Sequence, residues 1–220
     1  MARVLAVSDE IRSLAYNGGF AVMQPDLVVA CGDLPFDYLE LLVTTISKPL
    51  VYVPGNHDPD LKPRRPASTT INFLAYSSLE NPGPEGCINI DGRIADIAGL
   101  RVAGLGGSHR YRAGPNQYSQ KEMGRRCRRL LLKCKLRNRL RRRDSLVDLL
   151  VTHAPPRGVG DDDDPCHQGF DALHRMVDHA SPKYLVHGHI HPYGLNMADR
   201  QLGGTTVVNA VGYRLLEMDP

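Results

Sequence analysis

Asp9, Asp33, the run Asn56-His57-Asp58, His153 and the triplet His187, His189 and His191 carry the side chains best suited to chemistry, and they share one local setting. Each closes a short apolar run: RVLAVSD (3–9), DLVVACGD (26–33), PLVYVPGNHD (49–58), LVDLLVTHAPP (146–156) and KYLVHGHIH (183–191). Carboxylate and amide oxygens with imidazole nitrogens, and no cysteine among them, suit borderline divalent ions such as Mn, Fe or Zn. A single histidine at a strand end is more often a capping or packing residue. Two aspartates, an asparagine and several histidines at five strand ends do not read that way, because such groups are rarely buried unless paired or metal-bound. If the chain stays extended through 187–191, alternation sends all three imidazoles to one side.

These positions need strands to hold them. The runs above, with GLRVAGLGG (99–107) and TTVVNAVG (205–212), have cores of four to six aliphatic or β-branched residues followed by Gly or Pro, the pattern of buried strands. Helical patterns lie between them at 36–47, 119–142 and 168–180. Alternating strands and helices predict a layered α/β domain, and near-continuous apolar strands predict sheets covered on both faces. Ligands in such sheets bind outside the carboxyl ends of the strands, where the polar residues collect. The Pro-rich stretches 59–66 and 81–86 read as surface loops. No repeat and no dividing linker is present, so a single domain over 1–220 is expected.

In order, Asp9, Gly32-Asp33, Gly55-Asn56-His57-Asp58, His153 and Gly188-His189-Ile190-His191 resemble the motifs of the calcineurin-like metallophosphoesterase superfamily. VTHAPP and HGHIHPYG match that family's last two motifs closely, and the resemblance runs from residue 4 to about 212. It implies a four-layer α-β-β-α sandwich of two mixed β-sheets flanked by helices. It also implies two divalent metal ions, Mn first, with Fe or Zn as the other choices. Asp33 would bridge them; Asn56, His153 and His189 would complete one site, and Asp9 and His191 would belong to the other. Two cations roughly 3.5–4 Å apart can activate a water and hold phosphoryl oxygens for in-line displacement. His57 would be the catalytic imidazole, protonating the departing oxygen or stabilising developing charge.

The chain departs from that pattern at its first motif, usually D-x-H, where Asp9-Glu10-Ile11 stands. Strand alternation puts Asp9 and Ile11 on one side and Glu10 on the other, so Glu10 substitutes poorly unless the strand bends or ends at Asp9. The Asp9/Asp33/His191 site is therefore expected to bind metal more weakly, since three protein ligands plus water still make a usable site. His187 or His167 are the alternatives for the missing ligand. Two loops are expected to shape a substrate pocket. GLGGSHRYRAGPNQYS (104–119) brings His109 and Arg110 as phosphate-binding candidates, or is only a connection. PPRGVGDDDDPCHQGF (155–170) is a solvated loop, or turns Asp161 or His167 into the pocket.

The 220 residues are 42% hydrophobic and 23% charged, with no apolar stretch near the roughly 20 residues of a membrane span. The start MARVLAV shows no signal-peptide pattern, and five cysteines without a C-x-x-C pair favour reduced thiols, so a cytoplasmic protein is expected. Of the 27 Lys and Arg and 24 Asp and Glu, residues 121–143 hold twelve of the former and only Glu122 of the latter, which leaves 15 against 23 elsewhere. Met123, Cys127, Leu130 and Cys134, with Leu132, Leu136 and Leu140 beside them, make that segment an amphipathic helix. Its cations are either a solvated face or a platform for a polyanion, without aromatics for base stacking. The function expected is metal-dependent hydrolysis of a phosphomonoester or phosphodiester. The alternatives are a binding or scaffolding protein that kept the fold and lost catalysis, favoured by Ile11, and a nuclease using the basic helix.

Overall fold

The structure, a computed structural model, describes residues 1–61, 83–141, 145–192 and 198–219. Residues 62–66 and 81–82 of the two expected Pro-rich loops, and 142–143 of the basic segment, lie outside the described residues.

Two sheets face each other. The first runs β13 (Gly212–Met218), β1 (Ala2–Ser8), β2 (Leu27–Ala30), β3 (Leu50–Tyr52), β4 (Cys87–Asn89); only β13 is antiparallel to its neighbour. The second runs β11 (Arg200–Leu202), β12 (Thr205–Asn209), β10 (Tyr184–His187), β9 (Leu149–Thr152), β6 (Leu100–Leu105), β5 (Ile94–Ile97), with both edge strands antiparallel. A small pair, β7 (Ser108–His109) and β8 (Gln117–Tyr118), stands apart. Four α-helices are described: α1 (Gly19–Val22), α2 (Phe36–Ile46), α3 (Gln120–Arg141) and α4 (Asp171–Ala180).

Period-two alternation assigns each strand residue to a layer. Val4 and Ala6 of β1 with Val29 of β2 pack between the sheets against Val102, Val151 and Val186. Their neighbours Leu5, Val7 and Val28 point outward to Phe20, Leu39 and Leu42 of α1 and α2. On the far side Ala103, Leu150 and Leu185 meet Leu130 and Cys134 of α3 and Leu173 and Met176 of α4. The result is the expected α-β-β-α sandwich with two mixed sheets. Every central strand is buried on both faces, which is why the strands read as unbroken apolar runs.

Helix α3 starts on a capping box: Ser119 N–H and Oγ donate to Glu122 Oε2 at 2.8 Å, and the Glu122 N–H returns to Ser119 Oγ at 3.3 Å. Met123, Cys127, Leu130 and Cys134 form its buried stripe. The stripe is narrower than the expected one, because Leu132 and Leu136 lie on the opposite face, 61% and 59% exposed.

Candidate metal centre

β1 stops at Ser8, and Asp9 takes a left-handed turn (φ 60°). Asp33 after β2 (φ 56°) and His189 after β10 (φ 69°) do the same. A left-handed conformation costs a residue with a Cβ on the order of 1 kcal/mol, and it recurs at three of the strand ends that carry candidate ligands. Tight turns bring the backbones together. A Cβ on Gly55 would collide with the Asp33 carboxylate, and one on Gly188 with Ser8 Oγ and the Asp9 carboxylate. Only glycine fits at either position.

The turns are tied to one another by their own carboxylates. Asp9 N–H donates to Gly32 O at 3.2 Å, and the Asp9 carboxylate accepts the His189 N–H at 2.9 Å. Asp33 Oδ1 accepts the His57 N–H at 2.8 Å. Asp58 Oδ2 accepts the N–H groups of Gly55 at 2.7 Å and Asp33 at 3.0 Å, so Asp58 binds the third motif to the second. Burial raises the Asp58 pKa in spite of these donors.

His153 is fully buried and stands at the focus. Its Nδ1 faces only an acceptor, Cys31 O at 2.7 Å, so Nδ1 carries the proton. Its Nε2 then presents a lone pair to two oxygens, Asn56 Oδ1 at 2.9 Å and Asp33 Oδ2 at 3.3 Å. With the Asn56 amide in this orientation lone pairs from three side chains meet at one point, and the buried Asn56 Nδ2 has no partner among the described residues; a positive charge there, or rotation of that amide, reconciles them. In the metal-free protein that charge is a second proton on the ring. Burial disfavours the imidazolium, but the charge and hydrogen bond of Asp33, aided by Asp9, outweigh it and hold the His153 pKa at about 9. Burial likewise opposes ionisation of Asp33, yet His153 and the His57 N–H keep its carboxyl below the usual range.

His189 completes the cluster, its ring centroid 4.8 Å from that of His153. Its Nε2 is held by Cys166 O at 2.8 Å, which leaves Nδ1 for the site. Burial first, then the charge on His153, push His189 down to about 3, so its ring is neutral, as a ligand must be. One donor atom each from Asp33, His153 and His189 lie within 4.8 Å of one another, close enough to share an ion. Oxygen and imidazole donors, converging lone pairs and an outer hydrogen bond that fixes the His153 tautomer fit a divalent cation.

The other half of the expected ligand set is looser. His191 Nε2 is 3.9 Å from Asp9 Oδ1, and its side chain is 43% exposed. Ile11 is half exposed and lies outside the packed core. The left-handed turn at Asp9 breaks strand alternation, so Glu10 is not sent away: its Oε1 is 3.6 Å from His191 Nδ1. His187 ends β10 in a buried position with Nδ1 at 2.9 Å from Gly188 O, and burial lowers it to about 4. The extended run that would have aligned 187, 189 and 191 stops there. His57 is exposed, next to Asn56 and tied by its backbone to Asp33.

The 155–170 loop lies over His189. Besides Cys166 O, the His167 ring packs 5.2 Å from the His189 ring, and Asp164, Cys166 and His167 form a second compact donor group. Asp161 turns inward to the loop, accepting the Gly158 and Gly169 N–H groups at 2.7 and 2.8 Å. His109 reaches the same loop through Pro165 O, 3.3 Å from its Nδ1, whereas Arg110 turns to α3 and pairs with Glu122 at 2.8 Å. The Cys166 carbonyl was invisible to sequence reasoning, because any residue type could supply it.

Two facing sheets whose strand ends converge on a carboxylate–imidazole cluster define the metallophosphoesterase class of fold and site. The family model of the Calcineurin-like phosphoesterase matches residues 4–193, and the chain belongs to that family. Among solved structures, one aligns over 97% of this chain and 94% of its own at 18% identity with a TM-score of 0.61. TT1561 of Thermus thermophilus aligns over 96% of this chain and 89% of its own at 16% identity, TM-score 0.57. At these identities the likeness concerns the fold alone. A comparison with curated proteins finds no match. No described helix is long and apolar enough to cross a membrane.

Proposed function

We propose that the chain is a metal-dependent hydrolase of phosphate esters, mono- or diester, in which Asp33, Asn56, His153 and His189 hold the tighter of two divalent ions. The observation that carries this reading is the convergence of one donor atom each from Asp33, His153 and His189 within 4.8 Å of one another at the strand ends. Asp9 and His191, with Asp33, hold the weaker ion, for which Mn is the first choice and Fe or Zn the others. A bound divalent ion supplies Lewis acidity for a phosphoryl oxygen and for the attacking water.

The chain's own residues do the rest. The Asp33 carboxylate accepts the His57 backbone N–H at 2.8 Å, which holds this exposed residue beside the ligand carboxylate. From there the imidazole delivers a proton to the departing oxygen or stabilises its charge. Cys31 O and Cys166 O lock the His153 and His189 rings, so both would be held in orientation to bind a metal ion. Ile11 favours a second reading, a protein that binds and does not hydrolyse. A panel of phosphomonoesters and phosphodiesters, run with Mn, Fe and Zn in turn, separates the two. Metal-dependent turnover of any member supports the hydrolase; a metal-loaded, folded protein inert to the whole panel supports the binding protein.

A further inference from the structure

A recess of about 630 Å³ opens between the 110–118 segment and the first turns of α3. Asp60, two residues past Asp58, lines it. Asn116 ties its wall to the site: Nδ2 donates to Asp58 O at 3.2 Å, and the Asp58 carboxylate accepts the Asp33 N–H at 3.0 Å. Asp58 thus links the wall of the recess, through its carbonyl, to the turn that carries Asp33, through its carboxylate.

Arg110, Arg125, Arg126 and Arg129 line the recess with Glu122 and Asp60. Two of the arginines are committed. Arg110 pairs with Glu122 at 2.8 Å. Arg126 pairs with Asp91, donates to Gly106 O at 2.8 Å and stacks 4.0 Å above the Tyr118 ring. Arg125 and Arg129 stand one helical turn apart, exposed, with no ion pair or hydrogen bond to any described residue. Neighbouring guanidinium forks at i and i+4 match the oxygens of a phosphate. The one aromatic ring in the recess is covered by Arg126, so its chemistry favours phosphate over a stacked base.

We propose that Arg125 and Arg129 form a second anion subsite, which takes a further phosphate of a substrate whose scissile ester lies at the Asp33–His153 centre. The ligand class is a multiply phosphorylated molecule, whether a nucleoside bisphosphate or a short nucleic-acid strand. This rests on the phosphoesterase reading for the occupant of the centre.

The test is calorimetric titration of Mn²⁺-loaded protein, in the His57→Ala background to slow turnover, with AMP and with adenosine 3′,5′-bisphosphate. The bisphosphate should bind about tenfold or more tightly than AMP. Arg125→Gln with Arg129→Gln should reduce that preference to within about twofold and leave AMP affinity unchanged. Arg128→Gln with Arg139→Gln, on the same helix but outside the recess, should leave it intact. A preference absent from the parent, retained without Arg125 and Arg129, or lost equally in the outside pair overturns the subsite. A hexanucleotide that binds more tightly than the bisphosphate, and loses that advantage in the Arg125/Arg129 variant, identifies the strand as the source; equal binding identifies the small molecule. Turnover of p-nitrophenyl phosphate and bis-p-nitrophenyl phosphate by the wild-type protein separates the two claims. A preference that depends on Arg125 and Arg129 in a protein without turnover leaves the subsite standing and removes the hydrolase, and turnover without the preference does the reverse.

Discussion

Glu10 and His191 meet across the mouth of the metal centre, with the Glu10 carboxylate 3.6 Å from His191 Nδ1. The other nitrogen of the same ring is 3.9 Å from Asp9. An imidazole is thus flanked by two carboxylates. Glu10 is also held by Arg12, whose guanidinium is 2.5 Å away, so part of its charge is already spoken for.

Ile11→His should raise metal affinity at the Asp9/His191 site, read as a lower Mn²⁺ concentration for half-maximal occupancy in calorimetry. Ile11 is 50% exposed, so the swap empties no core position and should change stability by no more than about 0.5 kcal/mol. Should Glu10 already serve as the replacement ligand, Glu10→Ala would lose affinity and Ile11→His would gain none.

His57→Ala should lower kcat by roughly 10²–10⁴-fold and leave metal content unchanged. The His57 contact to Asp33 is made by its backbone, which the substitution keeps. An unaltered kcat at normal metal loading would remove His57 from the chemistry.

The five thiols should differ sharply in reactivity. Burial pushes Cys87 and Cys127 up to about 12 and Cys134 to about 11, and burial with the Asp9 charge lifts Cys31 well above its ordinary value. Cys166 alone is partly exposed, and its hydrogen bond to Asp164 raises its pKa. Iodoacetamide at pH 8 should therefore label only Cys166 in the folded protein. A carboxylate beside the thiol penalises the thiolate, so Asp164→Asn should move the pH profile of alkylation downward and speed the reaction at pH 8. Mass spectrometry of the alkylated protein reads both outcomes.

Arg101→Ala should destabilise the fold by about 2–3 kcal/mol in urea denaturation. Arg101 is completely buried, with Nε 3.1 Å from Asp96 and Nη1 3.2 Å from Asn138, and its backbone N–H bonds to Asp148 at 2.7 Å. Asp96 keeps Arg137 as a second partner, which places the loss below that of a stranded buried charge.

The candidate donor residues were legible because each stands at the end of an apolar run, and the unbroken runs correctly indicated sheets covered on both faces, with Val4 packed on one side and Leu5 on the other. Three features were not legible. The left-handed turn at Asp9 depends on the contacts of Gly32 and His189, which are remote in sequence, so the placement of Glu10 could be stated only conditionally. The lock on His189 is a backbone carbonyl and leaves no trace in residue type. Strand β13, which closes the first sheet against β1, mixes Tyr213, Arg214 and Glu217 with apolar residues at an edge and so lacks the unbroken apolar pattern of the central strands. Leu132 and Leu136 show the reverse error: apolar residues near a helical stripe that face solvent.

The most direct test of the hydrolase reading is the rate of p-nitrophenyl phosphate and bis-p-nitrophenyl phosphate hydrolysis as Mn²⁺ is returned to chelator-treated protein, beside an Asp33→Asn variant. Turnover should be absent after chelation, rise with Mn²⁺ occupancy and stay absent in the variant at every Mn²⁺ concentration. Folded, Mn²⁺-saturated wild-type protein with no turnover of either ester, or turnover that survives Asp33→Asn, would contradict that reading.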